Sequence, residues 1–225
     1  VSDGLFETML VVDGRVIQLE EHLQRMLHSA RVLGMAVPRE QTFRDVVARA
    51  AALDAAIRCV WSEGRLTATA MPIPEATLRR RRGAHVVTLP RDIRRASPEH
   101  KLTSYLDSLP ALRETIGASA DEGLFVDRRG RVLEGTTTNV FAIDGTTLIT
   151  APVSAGILPG IVRAWVLEQV ADVIERVPTI DELRAGSFVT SSLTPLAPIR
   201  TIDGERCAPP GPLFTTLRRR YRRLR

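Results

Sequence analysis

Apolar positions change their spacing several times along the chain, and the changes mark out its elements. Gly4 to Val12 reads as a strand, and Val11-Val12-Asp13-Gly14-Arg15-Val16 predicts a hairpin turning at Asp-Gly. From about Leu19 to Leu33 the period lengthens. Leu19, Leu23, Met26, Leu27, Ala30 and Leu33 recur at three and four, the mark of an amphipathic helix, and Gly34 ends it. A second helix starts near Pro38, whose fixed φ suits a first turn, and carries Phe43, Val46, Val47, Ala50 and Leu53. Ala56 to Trp61 and Arg65 to Met71 alternate like paired strands around Glu63-Gly64, and His85 to Leu89 is another short strand.

The polar stretch from Pro90 to Pro98, with its arginines and prolines, reads as a linker. Beyond it, Ser104 to Ile116 reads as helix, with Pro110 at its start or at a kink. Leu124 to Asp127, Val132 to Glu134, Asn139 to Ile143 and Thr147 to Thr150 read as short strands separated by Gly130 and Asp144-Gly145. A helix from Gly160 to about Ile174, a strand Phe188 to Ser191, a strand near Ile199 and a basic C-terminal helix complete the pattern. Helices and strands mix without βαβ alternation. The expectation is an α+β fold of two domains, 1–90 and 100–225, joined by a linker at 91–99.

A chain of 225 residues that is 44% hydrophobic and 25% charged has the balance of a globular protein with a full core. No apolar run reaches the ~18–20 residues a membrane helix needs and no signal peptide is legible, so a cytoplasmic protein with no membrane partner is expected. Cys59 and Cys207 are too few for a disulfide scaffold or a four-cysteine zinc site. His22, His28, His85 and His100 show no metal-ligand spacing, so no metal is expected either. The net charge of +5 raises the question of nucleic acid. Much of that excess lies in two runs, Arg79 to Arg82 and Arg218 to Arg225, and at 4% aromatic content no base-stacking motif appears. Such runs read as solvated faces, with no nucleic-acid partner.

The basic residues carry one sharper signal: of the 31, only Lys101 is lysine. Arginine serves wherever positive charge alone is wanted, but its guanidinium stays protonated and forms no imine. A primary amine is needed for Schiff-base chemistry with a carbonyl substrate or with pyridoxal phosphate. The alternative is a chance survivor of an arginine-biased composition. A second feature is Gly156-Ile157-Leu158-Pro159-Gly160-Ile161-Val162 ahead of an amphipathic helix. It is either an anion site, with close backbone approach and free N–H groups, or an ordinary helix entrance. Thr190-Ser191-Ser192 offers hydroxyls that could serve the same anion.

Six segments, taken in order, say more than any one of them. They are Ser2-Asp3-Gly4-Leu5-Phe6-Glu7-Thr8, Glu21-His22-Leu23-Gln24-Arg25-Met26, and His100-Lys101-Leu102-Thr103-Ser104-Tyr105-Leu106. The others are Glu134-Gly135-Thr136-Thr137-Thr138-Asn139-Val140-Phe141, Leu158-Pro159-Gly160-Ile161-Val162-Arg163, and Thr190-Ser191-Ser192-Leu193-Thr194-Pro195. The chain resembles the class IV aminotransferases, the pyridoxal-phosphate enzymes of fold type IV, which include branched-chain aminotransferase, D-amino-acid aminotransferase and aminodeoxychorismate lyase.

The resemblance implies a D-amino-acid-aminotransferase-like fold and pyridoxal 5'-phosphate as cofactor. It makes Lys101 the lysine that binds the cofactor as an imine and moves the proton, and Glu134 the acid beside the pyridine nitrogen. Tyr105 would bond the cofactor's phenolic oxygen. Arg25, the Ile161 and Val162 N–H groups behind Gly160, and Ser192 would hold the phosphate, with Asn139 beside them. Arg58 falls where relatives bind a substrate carboxylate, and Phe6 and Leu193 would line the substrate pocket. Two departures stand out: Val162 replaces a frequent threonine, and relatives carry a strand and turn ahead of the Asp3-Gly4 segment. The short spacing from Lys101 to Tyr105 resembles the D-amino-acid and lyase branch. The activity implied is transfer of an amino group from a small amino acid to a 2-oxo acid by a homodimer. A lyase releasing pyruvate and 4-aminobenzoate from aminodeoxychorismate is the first alternative, and a non-catalytic binding protein derived from the family is the second.

Overall fold

A computed structural model of the chain describes residues 4–52, 54–90, 97–104 and 109–224. These fall into two compact units, one drawn from 4–74 and 100–104 with Leu224, the other from 75–99 and 109–223.

In the smaller unit the strands β1 (Leu5–Val12), β2 (Arg15–Val16), β3 (Ala56–Ser62) and β4 (Arg65–Met71) form an antiparallel sheet in the order β2-β1-β3-β4. Both tight turns use left-handed pairs, Asp13-Gly14 at φ 48° and 75° and Glu63-Gly64 at φ 52° and 72°. That geometry matches the twist of the strands it joins. Leu5, Met9 and Val11 of β1 are buried against helices α1 (Leu19–Val32) and α2 (Glu40–Ala50), which contribute Leu23, Met26, Leu27, Ala30, Phe43 and Val47. Residues 101–103 lie along β1: Phe6 N–H donates to Lys101 O (2.9 Å), Thr103 N–H to Gly4 O (2.7 Å), and Leu102 pairs with Leu5.

The larger unit opens with α3 (Glu75–Arg80), β5 (Ala84–Thr88), α4 (Leu109–Gly117), β6 (Glu122–Val126) and β7 (Val132–Gly135). It continues with β8 (Asn139–Asp144), β9 (Thr147–Thr150), α5 (Ile161–Gln169), β10 (Val173–Glu175) and α6 (Ile180–Ala185). It ends with β11 (Ser187–Thr190), β12 (Ala197–Ile202), β13 (Glu205–Arg206) and α7 (Gly211–Tyr221). The strand order is β10-β9-β8-β11-β12-β5-β6-β7, with β13 on β12, and parallel pairs mix with antiparallel ones. Leu124, Val126, Val140, Ile149, Val189 and Ile199 belong to its core. The rings of Phe141 and Phe188 stack with centroids 4.9 Å apart.

The expected elements recur, with several differences. The boundary between units differs from 1–90 and 100–225: β5 pairs with β12 and β6, taking residues 75–90 into the larger unit, while the backbone bonds to β1 take 101–103 into the smaller one. Thus Lys101 belongs to the smaller unit, not to the larger domain. The helix expected to reach Ile174 stops at Gln169, because the β-branched Val173 and Ile174 pair in parallel with β9 instead. The six residues of α3 were too few to show a period. The Arg79 to Arg82 run is a solvated face only in part, since Arg79 and Arg82 are exposed but Arg80 is only 9% exposed. Leu53, residues 91–96 of the expected linker and residues 105–108 of the expected helix, Tyr105 among them, lie outside the described residues. Among the described residues no helix is long and apolar enough to cross a membrane.

Phe188 is fully buried, stacked on Phe141 and tilted against Phe214. Phe188→Ala is expected to cost about 3–5 kcal/mol of unfolding free energy, read as a lowered urea midpoint.

Candidate active site

The pleat of β1 sends neighbouring side chains to opposite faces of the small sheet. Phe6 is half-buried on one face. The Lys101 ammonium lies 4.1 Å from its ring centroid and the Arg58 guanidinium 3.9 Å from it, so two cations share one aromatic ring. Arg58 sits in β3 opposite Thr8, a register that keeps it beside Phe6. Sequence reasoning assigned Phe6, Arg58 and Lys101 separately, and the fold brings these three together.

Glu7 points to the other face, into the helix layer, and is 1% exposed. It accepts from Arg25 twice, Nε to Oε1 at 2.8 Å and Nη2 to Oε2 at 2.6 Å, and shares Oε2 with His22 Nδ1 at 2.7 Å. His22 and Arg25 are three apart on α1 and therefore share a face. Burial pushes the Glu7 carboxyl up, but the Arg25 charge and the bonds from His22 and Arg25 outweigh it and hold the group at about 2. Burial keeps His22 below the usual imidazole range, against the pull of Glu7 and helped by the charges of Arg25 and Lys101. His22 is accordingly a neutral ring donating from Nδ1 to a carboxylate. Sequence reasoning gave Glu7 and His22 no role. The legible signal was an acid at an inward position of β1, between Leu5 and Met9.

In the larger unit Glu134, 3% exposed on β7, accepts on Oε2 from Leu158 N–H (3.1 Å) and from Asn139 Nδ2 (3.4 Å), which also donates to Leu158 O (3.0 Å). A cavity of about 500 Å³ passes Glu134, bordered also by Phe125, Arg131, Leu133, Ala155 and Gly156. Gly160 precedes α5, and a side chain there would collide with the Asn139 amide oxygen. The bare glycine leaves the first turn of α5 without a side-chain cap, and its opening N–H groups, those of Ile161 and Val162 among them, have no partner within the helix. Thr190 pairs with Asn139 across β11 and β8, and its hydroxyl is buried with no hydrogen-bond partner. Ser192 and Leu193 lie in the turn closed by Ser191 N–H to Thr194 O (2.8 Å). The fold thus groups Glu134 with Asn139 and Gly160, next to Ile161 and Val162.

These residues fit pyridoxal phosphate. The chain supplies an amine, a buried carboxylate beside a cavity of suitable size, uncapped N–H groups at a helix start and a hydroxyl lacking a partner. Among the described residues no cluster of three or more His, Cys, Asp or Glu could hold a metal ion.

The family model for amino-transferase class IV matches residues 4–202. The bifunctional aminodeoxychorismate lyase / D-amino acid transaminase of Mycobacterium tuberculosis is 32% identical over 241 residues, covering 91% of this chain and 83% of that protein. A hypothetical aminotransferase from Mycobacterium tuberculosis, solved in its PLP-bound form, superposes with a TM-score of 0.85 at 28% identity, covering 99% of this chain and 88% of that one. The branched-chain aminotransferase of Thermoproteus uzoniensis, solved with norvaline, gives 0.83 at 28% identity, covering 98% and 84%.

The Glu7 cluster makes stability depend on pH. Unfolded, Glu7 binds a proton near its ordinary 4.5 and His22 near 6.5; folded, both bind later in the titration. The unfolded chain therefore takes up more protons as pH falls, and stability declines in two stages. The His22 share is present above about pH 6.5 and is lost below it; the Glu7 share, about 3 kcal/mol, is lost between about 4.5 and about 2. Urea midpoints measured from pH 8 to pH 3 are expected to fall less steeply below pH 4.5 in Glu7→Gln than in the wild type. Parallel curves would contradict the assignment.

Proposed function

This chain belongs to the class IV aminotransferase family, and we propose that it passes the amino group of a small amino acid to a 2-oxo acid, as a cytoplasmic homodimer. It is a pyridoxal-phosphate enzyme; the cofactor, when bound, supplies an aldehyde and a ring that accepts an electron pair. The observation that carries the residue roles is Lys101, the chain's one primary side-chain amine, held by backbone bonds to β1 and by contact with Phe6.

Lys101 would hold the cofactor through its amine, and that amine, when free, would take the proton from the substrate Cα and return it. The packing of its ammonium on Phe6 limits the arc through which that proton carrier swings. Glu134, fixed by Leu158 N–H and Asn139, keeps a proton on the ring nitrogen by placing a negative charge beside it. The N–H groups of Ile161 and Val162 behind Gly160, together with Ser192, would bind the phosphate, and the family resemblance adds Arg25, whose fork is oriented by Glu7. Tyr105, outside the described residues, would bond the phenolic oxygen, as the family resemblance implies. Arg58 receives the substrate carboxylate, while Phe6 and Leu193 exclude water from the substrate side chain.

A lyase reading is favoured by one observation: the 32%-identical relative carries both activities in its name. The two are separated by mixing the yellow holoenzyme with L- and D-amino acids and following the cofactor's visible absorbance. Bleaching by an amino donor, with recovery on adding a 2-oxo acid, is expected. No change with any donor, together with 4-aminobenzoate formed from aminodeoxychorismate, would favour the lyase. Lys101→Arg is expected to lose at least about 10³-fold in turnover, because charge survives and the amine does not.

A further inference from the structure

The basic run at the end of α3, in which Arg79 and Arg82 are exposed and Arg80 is buried, has no place in the roles above, yet it reaches two turns that do. Arg80 donates from Nη1 to Glu122 Oε2 (2.7 Å) and Thr137 Oγ1 (2.9 Å), and from Nε to Thr194 Oγ1 (3.3 Å). Glu122 is 1% exposed. It also accepts from the Thr136 hydroxyl, from Thr137 N–H (3.2 Å) and from Thr137 Oγ1 (2.7 Å). Gly135 approaches the Glu122 side chain so closely that a Cβ there would meet its Cγ at 3.0 Å. Next along the chain, Arg81 donates from Nε to Leu193 O (2.7 Å).

We propose that Arg80 is a positioning residue that ties the turn after Glu134 to the turn bearing Ser192, and so sets the affinity for pyridoxal phosphate. The inference rests on the functional reading above, which places Glu134 at the ring nitrogen and Ser192 at the phosphate. One guanidinium spends its N–H groups on both turns at once, and the shared acceptor, Glu122, gathers donors from the 136–137 turn. Thr194 is wholly buried and closes its own turn through Ser191, so a shift of its hydroxyl carries the intervening Ser192 with it. Arg81 fixes the carbonyl next along that turn. A lysine at position 80 would keep the charge opposite Glu122, but it lacks the planar fork that spans the two hydroxyls.

The test titrates pyridoxal phosphate into apoenzyme by visible absorbance, for the wild type, Arg80→Lys, Thr194→Val and the double variant, with urea midpoints of each apoenzyme alongside. Each single variant is expected to raise the Kd about 10-fold, and the double variant no further than Arg80→Lys alone, because both remove the same link. The apoenzyme midpoint of Thr194→Val is expected to fall by no more than the loss of one buried hydrogen bond entails, with the apoenzyme still folded. Should Arg80→Lys fail to fold, Thr194→Val decides alone. An unchanged Kd in a folded variant, beside normal uptake by the wild type, overturns this inference and leaves the functional reading intact. A wild type that takes up no cofactor overturns the reading and the inference together. Effects that simply add in the double variant overturn the shared link.

Discussion

A carboxylate removed from water costs several kcal/mol unless donors replace its hydration, and among the described residues three are buried: Glu7, Glu122 and Glu134. Among the described residues no aspartate reaches that depth. Each of the three is met by donors from other segments, and the donors fix how those segments pack. Glu7 on β1 is answered by His22 and Arg25 of α1, which sets the rotation of that helix on the sheet. Glu134 on β7 is answered by Asn139 of β8 and by Leu158 N–H just before α5. Glu122 on β6 is answered by the end of α3 and by the turn after β7. Truncating any one donor would leave charge buried without compensation, a larger penalty than the net worth of the bond itself.

The elements closest to local physics were legible in the sequence. The hairpins at Asp13-Gly14 and Glu63-Gly64 follow from turn chemistry, and α1 from its apolar spacing, because both are decided by neighbours in the chain. What escaped was decided by distant partners. Val173 and Ile174 become a strand because β9 offers an open edge, a fact absent from any short window. Arg80 looked like one of four solvated arginines because its acceptors, Glu122, Thr137 and Thr194, lie 42, 57 and 114 residues away. Among the site residues, Lys101 stood out by scarcity and the others by the order of their motifs. Glu7 carried a weaker mark, an acid at an inward strand position, and His22 and Arg25 had to be set beside it before that mark could be read as a buried cluster.

The arginine-rich composition sharpens the division of labour among cations. Arg25 and Arg80 use the guanidinium as a fork, reaching Glu7, and Glu122 with two threonines, respectively. Lysine offers a compact charge and no fork, and neither of these two posts could be filled by it at equal value. The converse holds at position 101 in the role proposed for it, where only a deprotonatable amine would serve.

How Lys101 comes to its place is a matter of strand register. In a pleated strand one residue of slip exchanges the two faces, so a shifted β1 would carry Phe6 into the helix layer and expose Glu7. Two constraints at opposite ends of the strand forbid that. At the far end the Asp13-Gly14 turn pairs Val12 with Arg15 and leaves no spare residue. At the near end Gly4, Leu5 and Phe6 bond or pair with residues 101–103, a contact some hundred residues distant in sequence. The buried acid adds a third constraint, because only the observed register places Glu7 opposite His22 and Arg25. The same pairing that hides the carboxylate therefore presents Phe6 on the other face and brings the Lys101 amine onto its ring. Charge burial on one side of β1 and amine placement on the other are a single structural decision.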